Sequence, residues 1–134
     1  MQRSAEPRYY LNLIKARLAT SPIVKTTTIV AEYALADRGY VRARLTLANG
    51  DFLEVSEYFV LQEQSCVTTE YRHQRMDASK QRLIQRWDNA THFPDLPNAP
   101  HHLHIEHEDN VIPSQPMSIL NLLDVLEQEF LSRQ

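Results

Sequence analysis

Alternating apolar and polar residues, separated by short turn sequences, dominate the middle of this chain and restrict its fold more than any other feature. Residues 23–35, 40–47, 66–76 and 83–88 have the alternation and the β-branched residues that are typical of strands. Asn49-Gly50 lies between two strand-like stretches and marks a hairpin. Because short connections join successive strands in antiparallel pairs, the pattern predicts an antiparallel meander.

The register of this hairpin can be predicted from the separation of polar and apolar side chains. A two-residue loop would pair Leu45 with Glu54 and mix both kinds of residue on each face. A three-residue loop with Gly50 in the left-handed conformation separates them, so we expect this bulged turn. The predicted pairs are Leu45 with Leu53, Ala43 with Val55 and Arg44 with Glu54.

Glu57 is the residue that does not fit the apolar face of this hairpin. The predicted register places it beside Val55 and Phe59. Either the strand has already left the core at this point, or the carboxylate points into a pocket from beneath the sheet. We favour the first interpretation, because burial of an unpaired charge is costly.

Two stretches with helical periodicity flank the predicted strands. Residues 8–19 carry apolar residues at helical spacing, and residues 117–131 form a second amphipathic helix. The two apolar stripes are Tyr10, Leu11, Ile14 and Leu18, and Ile119, Leu122, Leu123, Leu126 and Phe130. With a short strand over residues 101–107, these elements predict an α+β fold, in which terminal helices cover one face of an antiparallel sheet of five or six strands. We expect a single domain over residues 1–134, because no linker divides the chain.

Composition disfavours several classes of protein. Cys66 is the one cysteine and cannot form an internal disulfide. No signal-peptide pattern is present, and no apolar run approaches the roughly 20 residues that a membrane span needs. A net charge of −3 disfavours a duplex DNA-binding protein, which is usually basic. We therefore expect a cytoplasmic protein without a membrane partner.

Five of the six histidines lie between His92 and His107, in and after a loop that three prolines stiffen. Imidazole exchanges a proton near neutral pH and is the commonest metal ligand in proteins. On a strand over residues 101–107, alternation places His102, His104 and Glu106 on one face. Two histidines and a carboxylate can hold a divalent transition metal, so one interpretation of this run is a metal site.

A second interpretation of the histidine run needs no metal. Cleavage of an RNA phosphodiester requires a base for the 2′-hydroxyl, an acid for the leaving oxygen and a cation for the charge that develops on phosphorus. The acid–base candidates are His92, His101, His102 and His104, the cation candidates are Arg72, Arg75 and Arg86, and the candidates for base stacking are Tyr71, Trp87 and Phe93. Tyr71 and Arg72 point to opposite faces of one strand, so these candidates cannot all line one pocket. Trp87 is better explained as a core residue.

An ordered set of short motifs resembles the TumE-like family of toxins from bacterial and archaeal toxin–antitoxin modules. The motifs run from about Tyr9 to Phe130. They are Ser21-Pro22-Ile23-Val24-Lys25, Gly39-Tyr40-Val41-Arg42, Asn49-Gly50 with Leu53-Glu54, Tyr71-Arg72, Trp87-Asp88-Asn89-Ala90, Pro100-His101-His102-Leu103-His104 and Pro113-Ser114. The resemblance implies a small cytoplasmic toxin of a type II module. It also implies that a cognate antitoxin with a helix-turn-helix domain binds the toxin and relieves its inhibition of growth. The resemblance leaves open whether the toxin acts on RNA and whether it forms a homodimer.

Our hypothesis for the site combines the resemblance with the chemistry of the side chains. The predicted catalytic residues are His101, His102 and His104, with Asp88 orienting a histidine through a hydrogen bond. The predicted substrate-binding residues are Arg72 and Arg86, together with Tyr71 and His92. The metal interpretation uses His102, His104 and Glu106 instead.

The chain departs from the family pattern at three positions near this site. Thr91 and Phe93 stand where relatives tend to have a proline and a histidine, and Leu103 stands where they often have a lysine. If that lysine bound phosphate, this member is impaired. The alternative function is therefore a non-enzymatic module that binds a protein partner, with structural or metal-binding histidines. A metal-dependent hydrolase of a small molecule is a third hypothesis.

Overall fold

Seven antiparallel strands and two helices make up the computed structural model, which describes residues 6–133. The strands follow one another across the sheet in chain order, and each pairs with the next. The elements are α1 (Pro7–Thr20), β1 (Val24–Ala34), β2 (Arg38–Leu47), β3 (Phe52–Gln62), β4 (Ser65–Met76), β5 (Leu83–Asp88), β6 (His102–Ile105), β7 (Val111–Pro113) and α2 (Ile119–Ser132). The α+β meander predicted from the sequence is confirmed. None of the helices in the described range is long and apolar enough to cross a membrane.

Strand β7 corrects the predicted count of five or six strands. It pairs with β6, so that His104 lies opposite Val111 and His102 opposite Pro113. A segment of three residues is too short for alternation to be recognised, and a proline at its end is typical of an edge strand. The sequence predicts the last helix from residue 117 and no strand before it, so β7 emerges only from its pairing with β6.

The hairpin between β2 and β3 has the predicted register. Leu45 lies opposite Leu53, and the pairs Ala43–Val55 and Arg44–Glu54 follow. The loop closes through a hydrogen bond of 2.8 Å from the Leu47 amide to the Asp51 carbonyl. Gly50 has a φ of 96°, in the region that favours glycine, which confirms the bulged three-residue turn.

Both helices pack on the same face of the sheet, which we call the inner face. The core contains the apolar stripes of both helices together with the inward-facing residues of β2 and β3, and with Trp87 of β5. Helix α2 begins at a capping box, in which Ser118 and Asn121 each accept a hydrogen bond from the other's backbone amide. The opposite face, which we call the outer face, carries no helix of the described chain.

Glu57 corrects the interpretation that β3 has left the core. Its side chain is fully buried on the inner face, beneath the first turn of α2. Oε1 accepts a hydrogen bond of 2.8 Å from the Ile119 amide, and Oε2 accepts bonds of 2.6 and 2.7 Å from the hydroxyls of Tyr10 and Thr68. The carboxyl group thus joins both helices to the sheet, and burial raises its pKa.

His73 is a second buried polar residue on the inner face. Its Nε2 lies 2.8 Å from the Met117 carbonyl oxygen, and its Nδ1 is buried with no hydrogen-bond partner among residues 6–133. This environment suits a neutral ring that donates from Nε2. Accordingly, burial lowers the pKa of His73 from its ordinary value of 6.5 to about 4.

The free energy of unfolding is expected to fall on acidification because of His73. Between these two pKa values the unfolded chain binds a proton that the folded chain excludes, so stability is lost as the pH falls below 6.5. Lowering the pH from about 7 to about 4.5 should cost about 2 to 3 kcal/mol from this residue. Urea unfolding of the wild type and of His73→Gln at both pH values measures this loss of stability. Equal pH dependence of the unfolding free energy in the two proteins would show that His73 is not its source.

Candidate functional site

A cleft of about 720 Å³ opens on the outer face, where β4, β5 and β6 meet the loop after β5. Strand pairing places its polar residues in two rows across the sheet. Arg72, Asp88 and His102 lie opposite one another in one row, and Gln74, Arg86 and His104 in the next. Because side chains alternate along a strand, all of these project from the outer face, and all except Gln74 line the cleft.

His102 is held at both ring nitrogens. Its Nδ1 lies 2.9 Å from the Pro100 carbonyl oxygen, and its Nε2 lies 2.8 Å from Oδ1 of Asp88. The side chains of His102 and Asp88 are nearly fully buried. Asp88 was predicted to orient a histidine, and the structure places it in contact with this one. Its Oδ1 also accepts a hydrogen bond of 3.0 Å from the Ala90 amide, which fixes the start of the following loop.

His104 has a different pair of neighbours. Its Nδ1 lies 2.7 Å from the Glu108 carbonyl oxygen, and its Nε2 lies 3.1 Å from Nη2 of Arg86. A carbonyl only accepts and a guanidinium only donates, so this ring carries its proton on Nδ1 and a lone pair on Nε2. Burial lowers the pKa of His104, which favours the neutral ring.

Arg86 connects the histidines to two carboxylates. Its guanidinium forms a bidentate salt bridge with Glu108, in which each terminal nitrogen donates a hydrogen bond of 2.6 Å to one carboxylate oxygen. Its Nε donates a hydrogen bond of 3.2 Å to Oδ2 of Asp88. Hydrogen bonding to Arg86 lowers the pKa of Glu108. Glu108 did not emerge from the sequence, because it lies in an irregular turn after β6 where no periodicity relates it to Arg86.

Phe93 covers the two histidines from the proline-rich loop. Its ring centroid lies 5.0 Å from that of His102 and 5.8 Å from that of His104, in edge-to-face geometry. The loop therefore shields the rings from solvent while the cleft remains open beside them.

The structure separates His101 and Tyr71 from this cluster. Alternation turns His101 toward the inner face, where its Nδ1 lies 2.8 Å from the Tyr71 hydroxyl and the two rings stack at 5.8 Å. Tyr71 is buried, and burial raises its pKa to about 12. His101 and Tyr71 contact each other and not His102 or His104, so the structure brings together two of the three histidines that were predicted to be catalytic.

Arg75 likewise points away from the cleft. It lies on the inner face, in ion pairs of 2.9 Å with Asp51 and 3.0 Å with Glu129. Arg72 and His92, by contrast, are exposed residues that line the cleft. The hydrogen bond that the Arg72 side chain donates goes to Gln74, at 3.0 Å.

The predicted set of metal ligands also requires a correction, because Glu106 does not lie beside the two histidines. Strand β6 ends at Ile105, and Glu106 follows with a φ of 66° and an exposed side chain, outside the row of His102 and His104. Asp88 takes its place: one ligand atom from each of Asp88, His102 and His104 lies within 4.8 Å of the others. The adjacent strand thus supplies the carboxylate that the sequence predicts on the same strand.

The fold and this cluster define a small α+β protein with a histidine–carboxylate–arginine site on the uncovered face of an antiparallel sheet. A family model described as Toxin TumE matches residues 12–134. The chain therefore belongs to the TumE toxin family, which confirms the predicted resemblance and supports a toxin role. No curated protein and no solved structure gives a match.

Proposed function

We propose that this toxin cleaves RNA, with His102 and His104 as its acid and base. The observation that carries the proposal is the unequal hydrogen bonding of two adjacent rings, whose centroids are 4.9 Å apart. Acid–base cleavage needs one group that holds a proton and one that can take a proton, both within reach of the same phosphodiester. The two histidines meet this requirement with opposite environments.

His102 is suited to the role of the acid. Both of its ring nitrogens face oxygen acceptors, the Pro100 carbonyl and the Asp88 carboxylate. A ring that carries a proton on each nitrogen can donate to both acceptors, and the Nε2 proton is the one proposed to pass to the leaving oxygen. The Asp88 carboxylate also accepts a hydrogen bond from Nε of Arg86, which holds the carboxylate in place beside the ring.

His104 is suited to the role of the base. Its Nδ1 is committed to the Glu108 carbonyl, and its Nε2 lone pair accepts a hydrogen bond from Arg86, so this lone pair becomes available as the base when Arg86 turns to the phosphate. In the proposed reaction, Nε2 takes the proton of the 2′-hydroxyl and the 2′-oxygen forms a bond to phosphorus. The bond from phosphorus to the 5′-oxygen breaks, and that oxygen leaves with the proton of His102. The products are a 2′,3′-cyclic phosphate and a 5′-hydroxyl.

Arg72 and Arg86 supply the positive charge for this reaction. Guanidinium groups bind phosphate through two parallel hydrogen bonds, and the charge that develops on the phosphoryl oxygens strengthens them. Arg86 is held in place by Asp88 and is paired through both terminal nitrogens with the exposed carboxylate of Glu108, which the reacting phosphate would displace, whereas Arg72 is exposed at the mouth of the cleft. We assign Arg86 to the reacting phosphate and Arg72 to capture of the strand, with His92 beside it.

A metal-dependent reaction at the same site is the second candidate. Both histidines donate from Nδ1 to a backbone carbonyl, which is the arrangement that aims Nε2 at a metal ion. Asp88 would complete a two-histidine, one-carboxylate set for a divalent transition metal, which would supply an activated water. The guanidinium of Arg86 lies 3.1 Å from one ligand nitrogen and disfavours a cation there, so we rank this mechanism second.

Cleavage products distinguish the two mechanisms. We expect the purified protein to cut a single-stranded RNA equally well with and without EDTA, and to leave 2′,3′-cyclic phosphate ends. A single 2′-deoxy substitution at the cleaved position should abolish cutting there, because it removes the nucleophile. End-group analysis by mass spectrometry measures this. Inhibition by EDTA, or cutting at the deoxy position, would instead support the metal-dependent mechanism, and intact RNA throughout would support the non-enzymatic module.

We also infer a cytoplasmic site of action and a cognate antitoxin with a helix-turn-helix domain. The toxin family supports an antitoxin partner, and a target such as RNA lies in the cytoplasm. A small helix-turn-helix protein encoded beside this chain should relieve growth arrest when the two are co-expressed. Failure of the neighbouring gene product to relieve arrest would count against this partner.

A further inference from the structure

Three tyrosines form a row across the outer face, which we call the tyrosine row. Tyr33, Tyr40 and Tyr58 lie on β1, β2 and β3, at positions that face one another across the sheet. The ring centroids of Tyr33 and Tyr40 are 5.9 Å apart, and those of Tyr40 and Tyr58 are 4.3 Å apart. Tyr33 is 39% exposed and Tyr58 is 42% exposed. Large aromatic side chains on a face without a covering helix offer a surface for a partner.

The tyrosine row is continuous with the cleft. Tyr58 lines the cleft and also borders the two smaller depressions that lead toward Tyr33 and toward Tyr40. Ser56, two residues before Tyr58 on the same face of β3, begins the row that continues through Arg72 and Asp88 to His102. Three strand spacings separate β3 from β6, a distance of about 14 Å that a few nucleotides of single strand can span.

We propose that the outer face binds single-stranded RNA, with bases stacked on the tyrosine row and the backbone directed by Arg72 into the cleft. Tyr58 and Tyr40 would carry the main stacking contacts. The inference rests on the proposed RNA cleavage, because it names the form in which the substrate reaches His102 and His104. Unpaired bases stack on aromatic side chains with little regard for sequence, whereas bases in a duplex are already stacked on one another.

The charges on the outer face also favour a single strand over a duplex. Arg42 and Arg44 both contact Glu54, so this group keeps one positive charge in excess, and Arg72 adds a second. Glu70 lies opposite Tyr58 and directs phosphates toward the arginine side of the row. Few cations are available for phosphates, so stacking must contribute much of the affinity, and we expect the salt dependence to be shallow.

Binding of an RNA that cannot be cut tests this inference separately from cleavage. The probe is a fluorescently labelled single strand with 2′-O-methyl groups, and anisotropy measures its affinity for the full chain. Tyr58→Ala is expected to weaken binding by about tenfold or more, and Tyr58→Phe to retain it, because the ring does the stacking. Tyr9→Ala is the matched control, since Tyr9 is similarly exposed but lies on α1. Thermal melting verifies that each variant folds.

The outcomes separate this inference from the proposed cleavage. Probe binding that Tyr58→Ala loses and Tyr9→Ala keeps would support the tyrosine row, even if the wild type cuts no RNA. Absence of binding, equal binding by Tyr58→Ala, or tighter binding of a duplex than of the single strand would overturn the inference. Cleavage by the wild type together with unchanged binding by Tyr58→Ala would leave the proposed function standing and assign this face to another partner, such as the antitoxin.

Discussion

Replacing His104 with asparagine is expected to lower the rate of RNA cleavage by about 10²- to 10⁴-fold and to abolish growth arrest. The asparagine amide can still donate to the Glu108 carbonyl, as Nδ1 does in the wild type, so the turn after β6 should keep its geometry. What the variant loses is the lone pair of Nε2 beside Arg86, which is the base in the proposed reaction. Induction in a bacterial host, followed by growth and total RNA analysis, measures both effects.

The matched control comes from the same run of histidines. His107 is exposed and does not line the cleft, so His107→Ala should retain full toxicity. His102→Asn should behave like His104→Asn, because it keeps the donor to Pro100 and removes the acid. Growth arrest by a folded His104→Asn protein would refute the assignment. Arrest by the wild type with intact RNA would retain the toxin and reject RNA cleavage as its mechanism.

The elements predicted correctly are those that neighbouring residues determine. Hairpin register follows from the alternation on either side of Asn49-Gly50 and from the conformation available to Gly50, and both were sufficient. The amphipathic stripe of α2 likewise identified its buried residues from periodicity alone. The shared face of His102 and His104 follows from alternation in the same way.

The features missed depend on contacts between distant parts of the chain. Glu106 was assigned to the histidine cluster because it continues the alternation, but Asp88 on the next strand fills that place. The separation of His101 could have been anticipated, because alternation already places it opposite His102. The partner of Arg86, Glu108, lies in a turn, and no regular spacing connects the two.

Glu57 is the clearest case of a long-range effect. It accepts a hydrogen bond from the Ile119 amide, which lies 62 positions later in the chain. It accepts a second hydrogen bond from Tyr10 on the other helix. The sequence indicates that burial of this carboxylate is energetically unfavourable. No sequence spacing relates Glu57 to the three hydrogen-bond donors that offset this cost. Since α1, α2 and the sheet all meet at this carboxyl group, we expect it to be the most sensitive polar position of the inner face.

Replacing Glu57 with alanine is expected to lower the free energy of unfolding by about 3 kcal/mol, because one buried and two partly buried donors lose their acceptor. Glu57→Gln keeps the size of the side chain and an acceptor for the Ile119 amide, so it should cost only about 1 kcal/mol.

The two variants also differ from the wild type in their response to pH. Burial raises the pKa of Glu57, so the folded chain binds the proton more tightly than the unfolded chain, and wild-type stability should fall as the pH rises through the raised value. Glu57→Gln should lack this decline, which urea unfolding across the acidic range measures. A stable alanine variant, or identical pH profiles for the wild type and Glu57→Gln, would mean that the carboxyl group does not hold the helices to the sheet.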